Sequence, residues 1–212
     1  MNEVKQSVVL LWSTPEPELQ IERAGRVSYK SEDKITDESS AAFIRMLVAN
    51  GHHSVLEHAS MSVLITTDRG ITHEIVRHRI ASYTQESTRY VNYGTRGGEI
   101  NVVRPTFNTT TAYDIWETAM LAAESAYLSL IELGEKPQDA RSVLPTCTKT
   151  EIVCTFNLRE WRHFLTLRMS AKAHPQIQWV AQRCLAILME IAPDVFRDLE
   201  VGSTPIAQGT GN

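Results

Sequence analysis

Between Ile35 and Glu135 the chain has no lysine, although arginine stands there at position 45 and recurs at 69, 77, 79, 89, 96 and 104. A basic face that needs only solvation accepts lysine as readily as arginine. A planar fork that grips phosphate bidentately, or stacks on a flat ring, requires arginine. Cysteine is scarce too. Cys147, Cys154 and Cys184 are an odd number without CxxC spacing, so neither a disulfide framework nor a zinc ribbon is indicated. No Walker sequence occurs, and GTRGGE at 94–99 lacks both GxGxxG spacing and a preceding apolar strand, so no Rossmann unit is indicated. A net charge of −4 argues against a general nucleic-acid binder. The apolar run 8–12 is too short to span a membrane, and no small-residue cleavage pattern follows it. The expected setting is a reducing cytoplasm, with no membrane and no nucleic acid.

What is there suits a folded domain. The 212 residues suffice for a sizeable core, and no repeat or linker divides them, so one domain over 1–212 is expected, with a disordered tail at 202–212. Residues 7–12 read as a strand and 18–29 as a helix. Asp37 is a candidate N-cap for a helix over 38–50, stopped by Asn50 and Gly51. Alternation over 60–67 predicts a strand, 68–70 a turn, and 71–79 a helix. On that helix Glu74, Arg77 and His78 would share one face. Beyond Ser82 an extended chain would point Gln85, Ser87 and Arg89 to one side.

Thr110 or Thr111 should cap a long helix to Leu133. Its stripe of Ile115, Ala119, Ala122, Ala126, Leu130 and Leu133 suits close packing, as against another subunit. A short helix at 138–144 and a strand at 146–156 follow, the strand holding Cys147 and Cys154. In the helix predicted over 160–170, Arg168 continues the apolar stripe of Trp161, Phe164 and Leu165. A charge there needs a carboxylate partner or a ligand cavity. The last helix, 175–191, carries Ile177, Val180, Ala181, Cys184, Leu188 and Ile191 inward, and Pro193 ends it.

The stretch 77–90 reads RHRIASYTQESTRY. A short basic run is usually a solvated helix face. The arginine bias instead points to an anionic ligand with a planar part. Arg77, His78, Arg79, Ser82, Ser87 and Arg89 fill all six fixed positions of the signature that resembles the flavin-dependent thymidylate synthases. Three further blocks agree. Residues 51–58 match that family's Gly-His-x-Ser/Thr-x-x-Glu-His segment, Arg141 lies in its Ala-Arg-x-x-Leu-Pro segment, and 157–168 match its Asn-Leu-Arg…Leu-Arg pattern.

The resemblance implies an α/β fold with an antiparallel sheet, long packed helices and no Rossmann unit, assembled as a homo-oligomer, as a tetramer. It implies reductive methylation of dUMP to dTMP. Methylenetetrahydrofolate would donate the carbon, and FAD reduced by NADPH would carry the hydride. The flavin would be held by His52, Ser54, Arg77, His78, Arg79, Gln85, Asn157, Leu158, Arg159 and His163. The nucleotide would be held by Glu74, Arg77, Gln85, Glu86, Ser87, Thr88, Arg89, Arg141 and Arg168, with Arg168 beside the pyrimidine as the catalytic group. Glu86 departs from the apolar residue common at its position, and Glu74 stands where some members have Gln.

Carbon addition at C5 of uracil needs electron density there. No Pro-Cys-His context offers a thiolate for C6, and all three cysteines read as packing residues. A desolvated cation that stabilises the N3 anion is the other route, and Arg168 is the candidate. Ser87 has no triad-like base and reads as a binding residue. Two readings compete with this one. The first is a metal hydrolase built on His53, Glu57 and His58, although HxxxEH is one residue off the HExxH and HxxEH spacings. The second is a nucleotide-binding protein without catalysis. No resident metal is expected on the favoured reading.

Overall fold

The computed structural model describes residues 1–95 and 97–200, the side chain of Glu200 excepted; Arg96 and the expected tail at 202–212 lie outside the described residues. The chain is α/β, with an antiparallel sheet and several helices. Four strands, β2 (Ser7–Ser13), β3 (Ser60–Asp68), β6 (Lys149–Asn157) and β4 (Ala81–Gln85), pair in the order β2-β3-β6-β4. Two-residue strands β1 (Asn2–Glu3) and β5 (Asn101–Val102) pair in parallel, and nothing in the sequence foretold so short a pair. The contacts divide the chain into two compact units that interleave along the sequence. The first comprises 1–7, 66–75 and 84–152. The second comprises 8–65, 76–83 and the described residues from 153 on.

The first unit is built on helix α4 (Thr110–Glu132). Thr109, not Thr110 or Thr111, is its N-cap: the Thr109 side chain accepts from the Ala112 amide, satisfying one of the orphan donors of the first turn. Gly134 follows with φ +90, a conformation that suits glycine. Met120 and Tyr127 face inward with Tyr93, Ile100, Val102 and Ala140. The expected stripe is therefore not the buried one. Ile115, Ala119, Ala122 and Leu133 are exposed, because the side chains that fill this core are the larger ones one position along. Helix α5 (Pro137–Ala140) gives way to a 3-10 turn, Arg141–Val143, before Pro145. Cys147 lies ahead of β6 rather than in it.

Helix α3 (Arg69–Ile75) starts two residues earlier than predicted and stops four residues sooner. Asp68 Oδ1 accepts from the Ile71 amide at 2.8 Å, so the expected turn is the helix's first turn. Ile75 and Val76 are β-branched, which weakens helical continuation. Arg77 and His78 thus do not share a helix face with Glu74. Strand β4 likewise ends at Gln85, and the chain turns so that Ser87 C=O accepts from the amides of Tyr90 and Val91. The expected one-sided row of Gln85, Ser87 and Arg89 is broken there.

The second unit packs α1 (Pro17–Tyr29), α2 (Ser39–Ala49), α6 (Leu158–Arg168), α7 (Pro175–Ile191) and α8 (Pro193–Glu200). Helices α1 and α2 meet closely at Gly25, where an added Cβ would lie 2.7 Å from the Phe43 ring. Helix α2 is capped by position at Glu38, not Asp37, without a side-chain bond, and Gly51 ends it with φ +71 as expected. The stripe of α7 is buried as predicted at Ile177, Val180, Ala181, Cys184 and Leu188. Helix α8 was not predicted. Its Pro193 sits in the first turn, where a missing N–H costs nothing, so the residue that ends α7 also begins α8. Among the described residues no helix is long and apolar enough to cross a membrane.

Candidate functional site

In the second unit, Asn157, Leu158, Arg159, His163 and Arg168, all singled out from the sequence, lie on α6 or at its N-cap. Asn157 is the N-cap of α6, its side chain accepting from the Glu160 amide at 2.8 Å. One turn on, Trp161, Phe164 and Leu165 are buried, which fixes the helix by its apolar face. That anchoring places His163 near His78, with ring centroids 5.4 Å apart, and Arg168 against His78 from the helix's last turn. His78 is buried between Phe156, at 6.4 Å, and Phe164, at 5.0 Å. Tyr83 Oη donates to the His78 carbonyl at 2.5 Å and pins the backbone after the turn.

The protonation of His78 follows from its neighbours. Arg168 Nε, which can only donate, lies 3.1 Å from His78 Nε2. Nε2 must therefore accept, and the single ring proton sits on Nδ1, 3.1 Å from Glu160 Oε1. Burial first, then the charge of Arg168 and the nearby His163, push the pKa of His78 down to about 4. The contact with Glu160 is thus a hydrogen bond from a neutral imidazole, not an ion pair. Burial also holds the Glu160 carboxyl above its usual value. The charge of Arg168, expected to need a carboxylate or a cavity, is met in part by a neutral acceptor.

His78, Glu160 and His163 bring three ligand-type atoms within 4.8 Å of one another, the trio found among the described residues. Both nitrogens of His78 are already engaged, so the grouping is accounted for by hydrogen bonding. His53, Glu57 and His58 form no such trio. They lie on a 3-10 turn, His53–His58, where residues three apart eclipse, not those four or five apart. Glu57 is instead bound by Arg159, Nη1 to Oε1 at 2.6 Å, on the surface. His52 and Ser54 are exposed, and Tyr29 Oη lies 3.4 Å from His52 Nδ1. Leu158 is fully buried, and its amide donates to the Ala59 carbonyl. Arg77 and Arg79 are exposed and make no ion pair among the described residues.

The first unit gathers the other set. Gln85 Nε2 donates to Thr72 Oγ1 at 2.9 Å and Thr150 Oγ1 at 3.2 Å, which orients its amide. Arg69 Nη1 donates to the Glu86 carbonyl at 3.2 Å. The charge of Glu86, out of place in the sequence pattern, is held by Tyr93 Oη at 3.1 Å and Lys149 Nζ at 3.2 Å. Burial opposes the charge on Lys149, but Glu151 and Glu86 outweigh it and raise its pKa. Ser87 Oγ accepts from the Arg89 amide at 3.3 Å. Thr88 is buried, and its hydroxyl meets Arg141 Nη1 at 3.4 Å. Arg89 is exposed, with its guanidinium 5.3 Å from the Tyr90 ring centroid. Lys149 and Tyr93 were not singled out beforehand; only the anomaly of Glu86 hinted that a partner was needed.

Burial pushes the thiol of Cys154 up to about 12, and raises those of Cys147 and Cys184 as well. Burial therefore disfavours the thiolate at all three.

Residues 9–194 match the family model described as thymidylate synthase complementing protein. The flavin-dependent thymidylate synthase of Geobacter sulfurreducens is 37% identical over 202 residues, covering 92% of this chain and 87% of the relative. That of Mycolicibacterium vanbaalenii is 39% identical over 210 residues, covering 90% and 82%. The solved structure of a UMP/dUMP methylase, PolB, from Streptomyces cacaoi, bound with 5-Br dUMP, superposes with a TM-score of 0.81. It covers 98% of this chain and 100% of the other at 24% identity, a likeness of fold. With the family model matching most of the chain and relatives this similar, the chain belongs to the flavin-dependent thymidylate synthase family.

Proposed function

We propose that the chain methylates dUMP reductively to dTMP, taking the carbon from methylenetetrahydrofolate and electrons from NADPH through FAD. The observation that carries this reading is the guanidinium of Arg168, held at the end of α6 by a neutral His78, in a chain whose three thiols are all pushed up by burial. A cation fixed beside the pyrimidine lowers the N3 pKa and raises electron density at C5 without any covalent adduct. Ser87, Arg89 and Arg141 supply donors for the sugar and phosphate, and the oriented amide of Gln85 reads the base edge.

The donor set also fits a flavin dinucleotide. Two exposed arginines, Arg77 and Arg79, without ion pairs among the described residues suit a pyrophosphate, and His52, Ser54, His78, Asn157, Arg159 and His163 provide polar neighbours for the ring system. Bound and reduced, the flavin supplies the hydride. The test is direct. The purified protein should show flavin absorption and form dTMP from dUMP with methylenetetrahydrofolate and NADPH. A protein that stays colourless after reconstitution with FAD, or that binds dUMP without turnover, refutes the reading.

The subunits are proposed to form a homotetramer in the cytoplasm, with flavin sites built from several chains. Edge strand β2 supports this. Val9, Leu10, Leu11 and Trp12 are each 41–51% exposed, so neither face of the strand is covered. Its sequence, SVVLLWS, carries none of the Lys or Pro that usually protects an edge. In the other unit, the exposed Ile115, Ala119 and Ala122 of α4 offer a second apolar surface. Replacing Val9 and Leu11 with Lys should shift sedimentation toward the monomer and release flavin in step. Monomers that keep stoichiometric flavin would exclude sites shared between chains.

A separate expectation concerns the thiols. The triple variant Cys147→Ser, Cys154→Ala, Cys184→Ala should melt at a lower temperature, since two of the three are fully buried, yet keep measurable dTMP formation. A folded, flavin-loaded triple variant with no activity would restore a cysteine to the mechanism.

A further inference from the structure

We infer that Glu160 is a positioning residue for Arg168, acting through the ring of His78. The inference rests on the proposed role of Arg168. Three contacts carry it, all within the second unit. The Glu160 amide is fixed by the N-cap side chain of Asn157, so the residue starts from a rigid point on α6. Its carboxylate accepts the Nδ1 proton of His78 at 3.1 Å. The opposite nitrogen of the same ring accepts Nε–H of Arg168 at 3.1 Å.

The ring of His78 thus works as a rigid spacer between a carboxylate near the start of α6 and a guanidinium at its end. A helix alone does not fix the direction of a side chain as long as arginine. An acceptor aimed at Nε does, because Nε–H lies in the plane of the guanidinium and leaves both Nη groups facing elsewhere. The acceptor is only as well aimed as the ring that bears it. The stacked and edge contacts with Phe156 and Phe164 limit the tilt of that ring, and Glu160 holds its rotation. Glu160 itself is buried and only 6% exposed, so this carboxylate is not placed for solvation. Its presence in an apolar layer is explained if the Nδ1–H it accepts would otherwise be left buried without a partner.

The inference separates the roles of shape, charge and acceptor. Glu160→Ala removes the acceptor. Glu160→Asp keeps the charge but withdraws the acceptor by one methylene. Glu160→Gln keeps an oxygen in place, and because Arg168 already requires Nε2 to accept, the amide oxygen must be the atom turned toward Nδ1–H. The acceptor, not the charge, is what positions the ring.

The experiment compares the three variants in wild-type and Arg168→Ala backgrounds. It reads dUMP affinity by calorimetry, dTMP formation, NADPH-dependent flavin reduction and the melting temperature. Glu160→Ala, or Glu160→Asp should the alanine variant be insoluble, is expected to lose dUMP affinity and on the order of 10- to 100-fold in kcat/KM for dUMP, the cost of a misplaced group. Flavin reduction should fall less than dTMP formation, since His78 is one of several residues proposed to meet the flavin. Glu160→Gln should recover most of the loss. In the Arg168→Ala background the same replacements should change kcat/KM less than about twofold, since the group they position is gone. Wild-type turnover in Glu160→Ala or Glu160→Asp would overturn the inference. So would an equal loss in Glu160→Gln, or an undiminished loss in the Arg168→Ala background. Wild-type turnover in Arg168→Ala alone would remove the reading of Arg168, and with it this inference.

Discussion

Arg168→Ala should form dTMP roughly 30- to 900-fold more slowly than the wild type, a loss of about 2–4 kcal/mol in transition-state stabilisation. This is the range for removing one preorganised electrostatic donor. The guanidinium is preorganised by its bond to His78, so no reorganisation is needed as negative charge develops on the pyrimidine. Affinity for dUMP should fall as well. Flavin content and flavin reduction by NADPH should survive, because Arg168 is not itself among the residues assigned to the flavin and its neighbour His78 stays packed between Phe156 and Phe164 without it. Arg168→Lys keeps the charge but has no Nε–H to meet His78 Nε2 in the plane of a fork, so rescue should be partial. His78 should stay neutral in Arg168→Ala, since burial is the first cause of its lowered pKa. Flavin reduction and dTMP formation must be measured separately. If both fall together, or neither falls, Arg168 does not have this role.

The sequence made α7 legible because its stripe is long, strictly periodic and bounded by two prolines. The stripe of Trp161, Phe164 and Leu165 makes α6 legible as well, but the expected bounds 160–170 fall two residues late at each end, because the Asn157 side chain caps a helix that starts at Leu158. Local pattern failed where tertiary contacts decide the backbone. Residues 71–79 have the composition of one helix, but α3 stops at Ile75, and His78 is taken up instead by Phe156, Phe164, Glu160 and Tyr83. The stripe of α4 failed for another reason. Its two candidate faces are both apolar, and periodicity alone does not say which one a core will cover.

The site was legible as residue types and less so as partners. The arginine bias and the six-position signature singled out Arg77, His78, Arg79, Ser87 and Arg89 for a ligand, and Arg77, Arg79 and Arg89 are exposed. That Glu57 would be bound by Arg159, 102 positions away, has no local signal. The same holds for Glu160 and His78, 82 positions apart. The sequence shows only that Glu160 is the third residue after an N-cap, a place where an acidic side chain is ordinary. Contacts of that separation depend on which strand lies beside which, and strand order is written in no single stretch of the chain.

Trp161→Ala should cost about 3–5 kcal/mol of folding stability, the range for emptying a large aromatic site in a well-packed core. Trp161 is fully buried, with Phe156 at 4.3 Å and Phe164 at 5.5 Å between ring centroids. Its indole N–H donates to the Met61 carbonyl at 3.1 Å, tying α6 to β3. Trp161→Phe keeps most of the aromatic contact but loses that donor, so it should cost less, on the order of 1–3 kcal/mol, from the smaller ring and the unpaired carbonyl. The effect should reach function through position. Asn157, His163 and Arg168 all ride on the helix that Trp161 anchors, and Phe164 is a wall of the His78 pocket. At a temperature where Trp161→Phe remains folded, its dUMP affinity should weaken along with its stability, without a change in the residues that meet the ligand. Chemical denaturation of both variants and dUMP titration of Trp161→Phe check this. A Trp161→Ala protein as stable as the wild type would mean that α6 is held by something other than its apolar face.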